Sequence, residues 1–197
     1  MHILVVILSL LKKMLLPALA GAAAVWVLRP VRKKRLEARG WITTPGHEAA
    51  LTLFSAFLAG LFFLAVQPLN PLDGALHYNL VPFRIFHDVA QELRGGSALG
   101  FWTSFLGNFI MFMPLGFFPA LLWRKVSWRH ALLTGLLCSL TIELCQLPLG
   151  RSTDVDDLWM NTLGAGLGYG AYRALLGMKP NWCNLCKVKS KTEEEPS

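Results

Sequence analysis

Glu143, Gln146, Arg151, Asp154, Asp157 and Asn161 stand close together in a stretch otherwise made mostly of apolar and small residues. A carboxylate inside an apolar block is expensive unless it is paired, so Glu143 marks either a helix lock or a site. Glu143 and Gln146 are three apart and share a helical face, which Gly135 and Ser139 extend at four-residue spacing. Arg151 could pair with Glu143, with Gln146 and Asn161 completing the hydrogen bonds. It could equally clamp a phosphate or carboxylate, since guanidinium geometry suits bidentate anion recognition. Glu143 or Asp157 would then serve as a base. A third reading gives the carboxylates and amides to a hard divalent cation such as Mg²⁺ or Ca²⁺. The order of these residues matches no EF-hand loop, and no His-Glu-x-x-His run exists. Asp154 also suits a helix N-cap, with Asp156 and Asp157 at the positive end of the helix dipole. Asn108, four residues after Ser104, brings a further amide from an earlier apolar block. Ser104, Ser152 and Thr153 have no evident His partner, and His77 and His87 lie in a separate loop. No catalytic residue is therefore assigned, the enzyme question stays open, and no cofactor is expected.

The elements that position these residues follow from composition. Of 197 residues, 54% are apolar and 16% charged, and mean hydropathy is +0.45. An ordinary globular domain is roughly 25% charged. This excludes a disordered chain, a secreted disulfide scaffold and most cytosolic enzymes. The expected fold class is all-α, a polytopic integral membrane bundle of about five transmembrane helices. Residues 49–66, 101–123, 131–149 and 155–176 each supply the roughly 20 apolar residues that a crossing needs. No period-two alternation suggests strands. The first crossing is less clean, because Lys12 and Lys13 interrupt residues 1–28. Starting it near Lys12 lets both ammonium groups snorkel and leaves 1–11 near the headgroups. One long tilted helix with its lysines turned toward protein is the alternative. Pro114 and Gly116 in the third span predict a kink.

The net charge is +7, and the basic residues flank apolar blocks. They read as orientation signals rather than as a nucleic-acid surface. Residues 29–39, 124–129 and 173–191 fall on one side of a five-span chain, which makes that side cytoplasmic. The N-terminus is then outside, the C-terminus inside, and loop 67–100 exterior. That loop carries Asn70, Asp73, His77, Asn79, Arg84, His87, Asp88, Glu92 and Arg94, with a short interfacial helix over 88–93 ended by Gly95 and Gly96. Asp157, Asn161, Gly164 and Gly168 form one close-packing stripe of the last span, and Gly166 with Gly170 forms a second small pair. Trp102, Trp123, Trp128 and Trp159 fit an interfacial aromatic belt. Cys138 and Cys145 read as buried small residues of the fourth span, and Cys183-x-x-Cys186 as a chance pair in a mobile tail. The organisation is thus 1–48, a first span and basic segment; 49–177, a four-span membrane domain; and 178–197, a cytoplasmic disordered tail.

Glu143-x-x-Gln146 followed by Arg151-x-x-Asp154-x-Asp156-Asp157-x-x-x-Asn161-x-x-Gly164 resembles the signature of the VanZ-like family. So do Asn108 with Met113-Pro114-Leu115-Gly116, and Asn79-Leu80-Val81-Pro82-Phe83. The resemblance covers residues 68–172. It implies a bacterial cytoplasmic-membrane protein of a family whose namesake is associated with resistance to teicoplanin, a lipid-bearing glycopeptide. No chemical activity comes with it. The expected ligand-binding set is Asn108, Glu143, Gln146, Arg151, Asp154, Asp157 and Asn161, beneath the outer headgroups. The expected partners are membrane lipid and a lipid-linked cell-wall precursor or glycopeptide antibiotic. A membrane enzyme acting on a lipid-linked substrate and a purely structural or partner-binding bundle are the competing readings.

Overall fold

A computed structural model describes residues 2–66, 78–99, 101–149 and 153–191. The architecture is all-α. In chain order it comprises α1 (His2–Val27), α2 (Arg29–Glu37), β1 (Trp41–Ile42), α3 (Pro45–Ala65), β2 (Tyr78–Asn79) and α4 (Arg84–Arg94). A π-helical turn (Phe101–Phe105) leads into α5 (Leu106–Leu122), followed by α6 (Trp128–Gln146) and a 3₁₀ turn (Leu147–Leu149). The chain ends in β3 (Thr153–Asp154), α7 (Val155–Met178), α8 (Pro180–Leu185) and β4 (Lys189–Ser190). A helix therefore occupies each of the five expected spans. Ile7–Val27 and Pro45–Ala65 are long and apolar enough to cross a membrane, and Leu106–Leu122 is apolar but shorter.

The helices start where local chemistry says they should. Thr44 accepts a hydrogen bond from the His47 amide at 3.0 Å, with Pro45 in the first turn of α3. Ser127 and His130 form a reciprocal capping pair at the start of α6. Asp154 accepts from the Asp156 amide at the head of α7. α1 runs unbroken from His2 through Pro17, and both Lys12 and Lys13 are exposed rather than turned toward protein.

α1 lies along α3, and α5, α6 and α7 form the other half of the bundle, joined to α3 through α5. The α5–α7 contact is a close backbone approach. A Cβ on Gly116 would stand 1.8 Å from the Ala165 carbonyl oxygen, and one on Gly168 would stand 1.8 Å from that of Met113. Pro114 and Pro119 both lie inside α5 without ending it. The first glycine stripe thus faces α5, as its spacing implies. The second pair does not act as one: a Cβ on Gly170 would meet nothing within 4 Å, and one on Gly166 would meet only a Leu132 methyl. Those two residues lie off the face that α5 covers.

The burial of α6 is inverted relative to a water-soluble helix. Gly135, Ser139, Glu143 and Gln146 are buried, whereas Leu133, Leu137, Leu140 and Leu144 are exposed. α7 repeats the pattern, with Asp156 and Asn161 buried and Leu163 and Leu167 exposed. Polar groups inside and leucines outside is the arrangement that hydrocarbon solvent favours, because lipid offers polar groups no partners. The same polar stripe leaves α6 and α7 less hydrophobic by composition than α1 or α3.

The C-terminal segment departs from the expected disordered tail. Residues 180–191 fold onto the start of α3. Cys183 and Cys186 are buried, and burial raises both thiols above their ordinary pKa. Thr44 donates its hydroxyl to the Leu185 carbonyl, and the His47 ring meets the Cys186 carbonyl at 3.1 Å. The carbonyls that the short α8 leaves without helical partners are thereby satisfied from α3. β4 then pairs antiparallel with β1, Trp41 opposite Ser190 and Ile42 opposite Lys189. Charged composition predicts disorder here, but the buried cysteines and Val188 supply enough apolar anchoring to dock the strand. Residues 192–197 lie outside the described residues. Cys138 and Cys145, expected as buried, are half-buried instead, on the flank of α6 between its polar and leucine faces.

Candidate functional site

Four elements meet at the head of α7. β2 pairs in parallel with β3, Tyr78 opposite Thr153 and Asn79 opposite Asp154. The Asn79 amide donates to Asp154 Oδ1 at 2.9 Å, and the same oxygen accepts the Asp156 amide at 2.8 Å. Asp154 is therefore both the expected cap of its own helix and a tie to the loop that precedes α4.

Asp156 is fully buried. Its Oδ1 accepts from the Phe83 amide and from the Trp159 indole N–H at 2.9 Å, and its Oδ2 accepts the Ile85 amide at 2.9 Å. The Phe83 position at the head of α4 has no side chain able to cap it. Asp156 supplies that cap from another helix, reaching the same early amide that a local Ser or Asp would serve. Phe83 itself is the only non-glycine residue with positive φ among the described residues, at 67°. Left-handed backbone at a bulky residue costs about 1–2 kcal/mol, and charge-assisted bonds to its own amide and to Ile85 offset that strain. Sequence reasoning gave Asp156 a dipole role or a share in a hard-cation site, not a capping role on another helix. The Asn79–Phe83 run and the aspartates belonged to one resemblance, but nothing in their spacing said that one would cap the other.

Deeper in the bundle, Asn108 of α5 donates its amide to Asp157 Oδ1. The Ser139 hydroxyl of α6 reaches the Asp157 carbonyl at 3.4 Å, and the Asn161 amide donates to Ser139 Oγ at 2.9 Å. Asn108, Asp157 and Asn161 are thus brought together with Ser139, which the sequence placed only on a packing stripe. Glu143 is 5% exposed and lies one turn beyond Ser139 on the same buried face, toward the end where Asp157 and Asp154 sit. Gln146 goes elsewhere. Its amide donates to the Ala65 carbonyl at 2.8 Å, at the end of α3. It ties α6 to α3 and does not join the α7 aspartates, because three residues of helical rotation turn it toward the neighbouring groove. Arg151, Ser152, His77, Asn70 and Asp73 lie outside the described residues, as does the side chain of Ser104. Among the described residues no three His, Cys, Asp or Glu side chains gather in a metal-holding group.

An apolar groove runs along the outer side of α7, and none of Asn108, Ser139, Glu143, Asp157 and Asn161 lines it. Phe83, Leu136, Val155, Leu158, Trp159, Thr162 and Leu163 line about 530 Å³ of open groove. Phe83, Phe86 and Phe109 surround Trp159 with ring centroids 5.7, 5.9 and 6.0 Å away. Trp159 is therefore part of a packed aromatic knot and a donor to Asp156, not only a belt residue. The α4 helix spans Arg84–Arg94 and ends at Gly95, longer at its start than expected because Asp156 caps it.

The family model of VanZ/LLP1 matches residues 49–176. The chain belongs to the VanZ/LLP1 family. Protein VanZ of Enterococcus faecium is 28% identical over 98 residues, which is 49% of this chain and 61% of that protein. The match thus spans less than two thirds of the relative's length. No solved structure matches. Within the family region, the three motif segments that carried the resemblance come together in space: Asn79 and Phe83 on Asp154 and Asp156, and Asn108 on Asp157.

Proposed function

We propose that this VanZ-family chain is an envelope membrane protein that lowers sensitivity to lipid-bearing glycopeptides such as teicoplanin. It does so by engaging a lipidic, cell-wall-related ligand at the head of α7. One juxtaposition carries the reading: an apolar groove of about 530 Å³ borders Asp156 through Phe83 and Trp159, and Asp156 stands beside the Asn108–Asp157 and Asn161–Ser139 pairs that tie three helices. Such a site offers hydrogen bonds to a polar head and hydrocarbon contact to an acyl chain. Pockets for small ligands combine the same two features, mostly apolar walls with a few placed polar groups. Glu143, Asp157, Asn161 and Asn108 would meet the head, with Arg151 as the anion clamp. Phe83 and Trp159 would border the chain. The placement beneath the outer headgroups rests on the charge distribution, which puts the opposite end in the cytoplasm.

The test uses isosteric neutralisation. Glu143→Gln and Asp157→Asn keep shape while removing charge, and Arg151→Lys keeps charge while removing the fork. Each variant is expressed in a susceptible host, and tolerance to teicoplanin and to a glycopeptide lacking an acyl chain is measured beside the thermal unfolding of the purified protein. The expected outcome is loss of teicoplanin tolerance with thermal stability unchanged. Parallel loss of stability and tolerance would make the cluster a helix lock, which is the competing reading.

A further inference from the structure

The opposite end of the bundle gathers positive charge from segments far apart in the chain. α2 carries Arg29, Arg32, Lys33, Lys34 and Arg35 within nine residues. The docked tail sets β4 beside β1, and the Lys191 amide donates to the Gly40 carbonyl at 2.9 Å. The turn between α5 and α6 closes on the same place, with the Arg124 guanidinium 5.9 Å from the Trp41 ring centre. Lys187 donates to the Tyr172 hydroxyl at 2.8 Å, which fixes the tail against α7. Glu48 takes up part of this charge: Arg32 meets it at 2.8 Å and Arg29 at 3.7 Å, pinning α2 to α3. Glu37 pairs with Lys33 at 3.8 Å. The cations of this end outnumber these two acids even when Glu193, Glu194 and Glu195, which follow the strap in the sequence, are counted against them, and the cations of α2 other than Arg32 and those of the α5–α6 turn are exposed.

We propose that this end is a composite headgroup site for anionic phospholipid, completed by the C-terminal strap. Two observations select a phosphodiester lipid over a soluble polyanion. The platform sits at the ends of α1, α3, α5 and α7, where apolar helices give way to charge. Exposed Trp26, Trp123 and Trp182 stand around it, the amphipathic side chains suited to the headgroup level. The strap matters because Lys189 and Lys191 reach the platform only through β1–β4 pairing. This surface is separate from the acid–amide site, so its test does not depend on that reading.

The experiment reconstitutes the full chain in phosphatidylcholine bilayers and measures the association of spin-labelled phosphatidylglycerol relative to spin-labelled phosphatidylcholine. The expected result is a preference for phosphatidylglycerol at low salt that shrinks as ionic strength rises. Arg124→Gln, and Lys189→Gln with Lys191→Gln, should each lower the preference, by up to about fivefold per charge removed. Lys12→Gln with Lys13→Gln, far along α1, should leave it unchanged. Thermal unfolding of each variant confirms that the protein is intact, and near-native stability is expected because Arg124 and Lys191 are exposed, Lys189 is only half-buried, and β1–β4 pairing is made by backbone. No preference in the wild-type chain, equal loss in the α1 variant, or an undiminished preference in both platform variants would overturn the proposal. Stronger retention of a single-stranded oligonucleotide than of phosphatidylglycerol vesicles at the same salt would also overturn it.

Discussion

Asp156 illustrates how much one buried carboxylate can organise. It is fully buried, and its oxygens take two backbone amides and an indole N–H. Each hydrogen bond to a charged group is worth about 1.5–3 kcal/mol, and these three are only partly buried, which favours the lower end. Removing the carboxylate leaves Phe83 and Ile85 amides without their acceptor and releases the left-handed turn at Phe83. Asp156→Ala should therefore destabilise the protein by about 3 kcal/mol, read as a fall in the thermal midpoint of the purified chain. Proteolysis within 78–94 should rise with it, since α4 loses its cap. Asp156→Asn keeps one acceptor oxygen and should cost less. An unchanged midpoint and cleavage pattern in Asp156→Ala would remove the carboxylate from this organising role.

Helix packing follows from small residues at one register and polar pairs at another. α5 and α7 approach so closely at Gly116 and Gly168 that a Cβ would overlap backbone oxygen at 1.8 Å. Overpacking a tight contact usually costs 1–3 kcal/mol, and a clash with backbone lies at or above the top of that range. Gly168→Ala should cost about 3 kcal/mol or more. Gly170→Ala, on the same helix with open space around it, should be neutral or stabilising by up to about 1 kcal/mol through helix propensity. Thermal unfolding of the two variants side by side is the measurement. Equal effects would mean that the α5–α7 approach is looser than its geometry indicates. The polar pairs act differently: Asn161–Ser139 and Asn108–Asp157 fix which helices meet, because each group would be left unsatisfied against any other neighbour.

At the scale of the molecule, the two ends differ in chemistry. One holds acids, amides and an apolar groove; the other holds the cations of α2, the α5–α6 turn and the strap. This asymmetry gives a direct test of orientation. In a background without native cysteines, a cysteine at Gln91 of the exposed α4 should react with a membrane-impermeant reagent on intact cells. One at Lys125 should react only after permeabilisation. The reverse pattern would turn the bundle over and place the groove in the inner leaflet.

The helical class, the positions of the long helices and the face shared by Ser139, Glu143 and Gln146 were legible in the sequence. They depend on composition and on a 3.6-residue period, both local properties. The motif segments around Asn79, Asn108 and Asp154 to Asn161 were legible too, through resemblance. Which partner each polar group takes was decided by the tertiary structure. Asp156 caps α4, Gln146 turns to the end of α3, and residues 180–191 dock on Thr44 and His47 instead of staying disordered. These contacts join residues far apart in the chain, and their energy appears only once packing has brought donor and acceptor together and excluded competing solvent. Spacing along a helix fixes the direction of a side chain; it carries no information on what stands opposite.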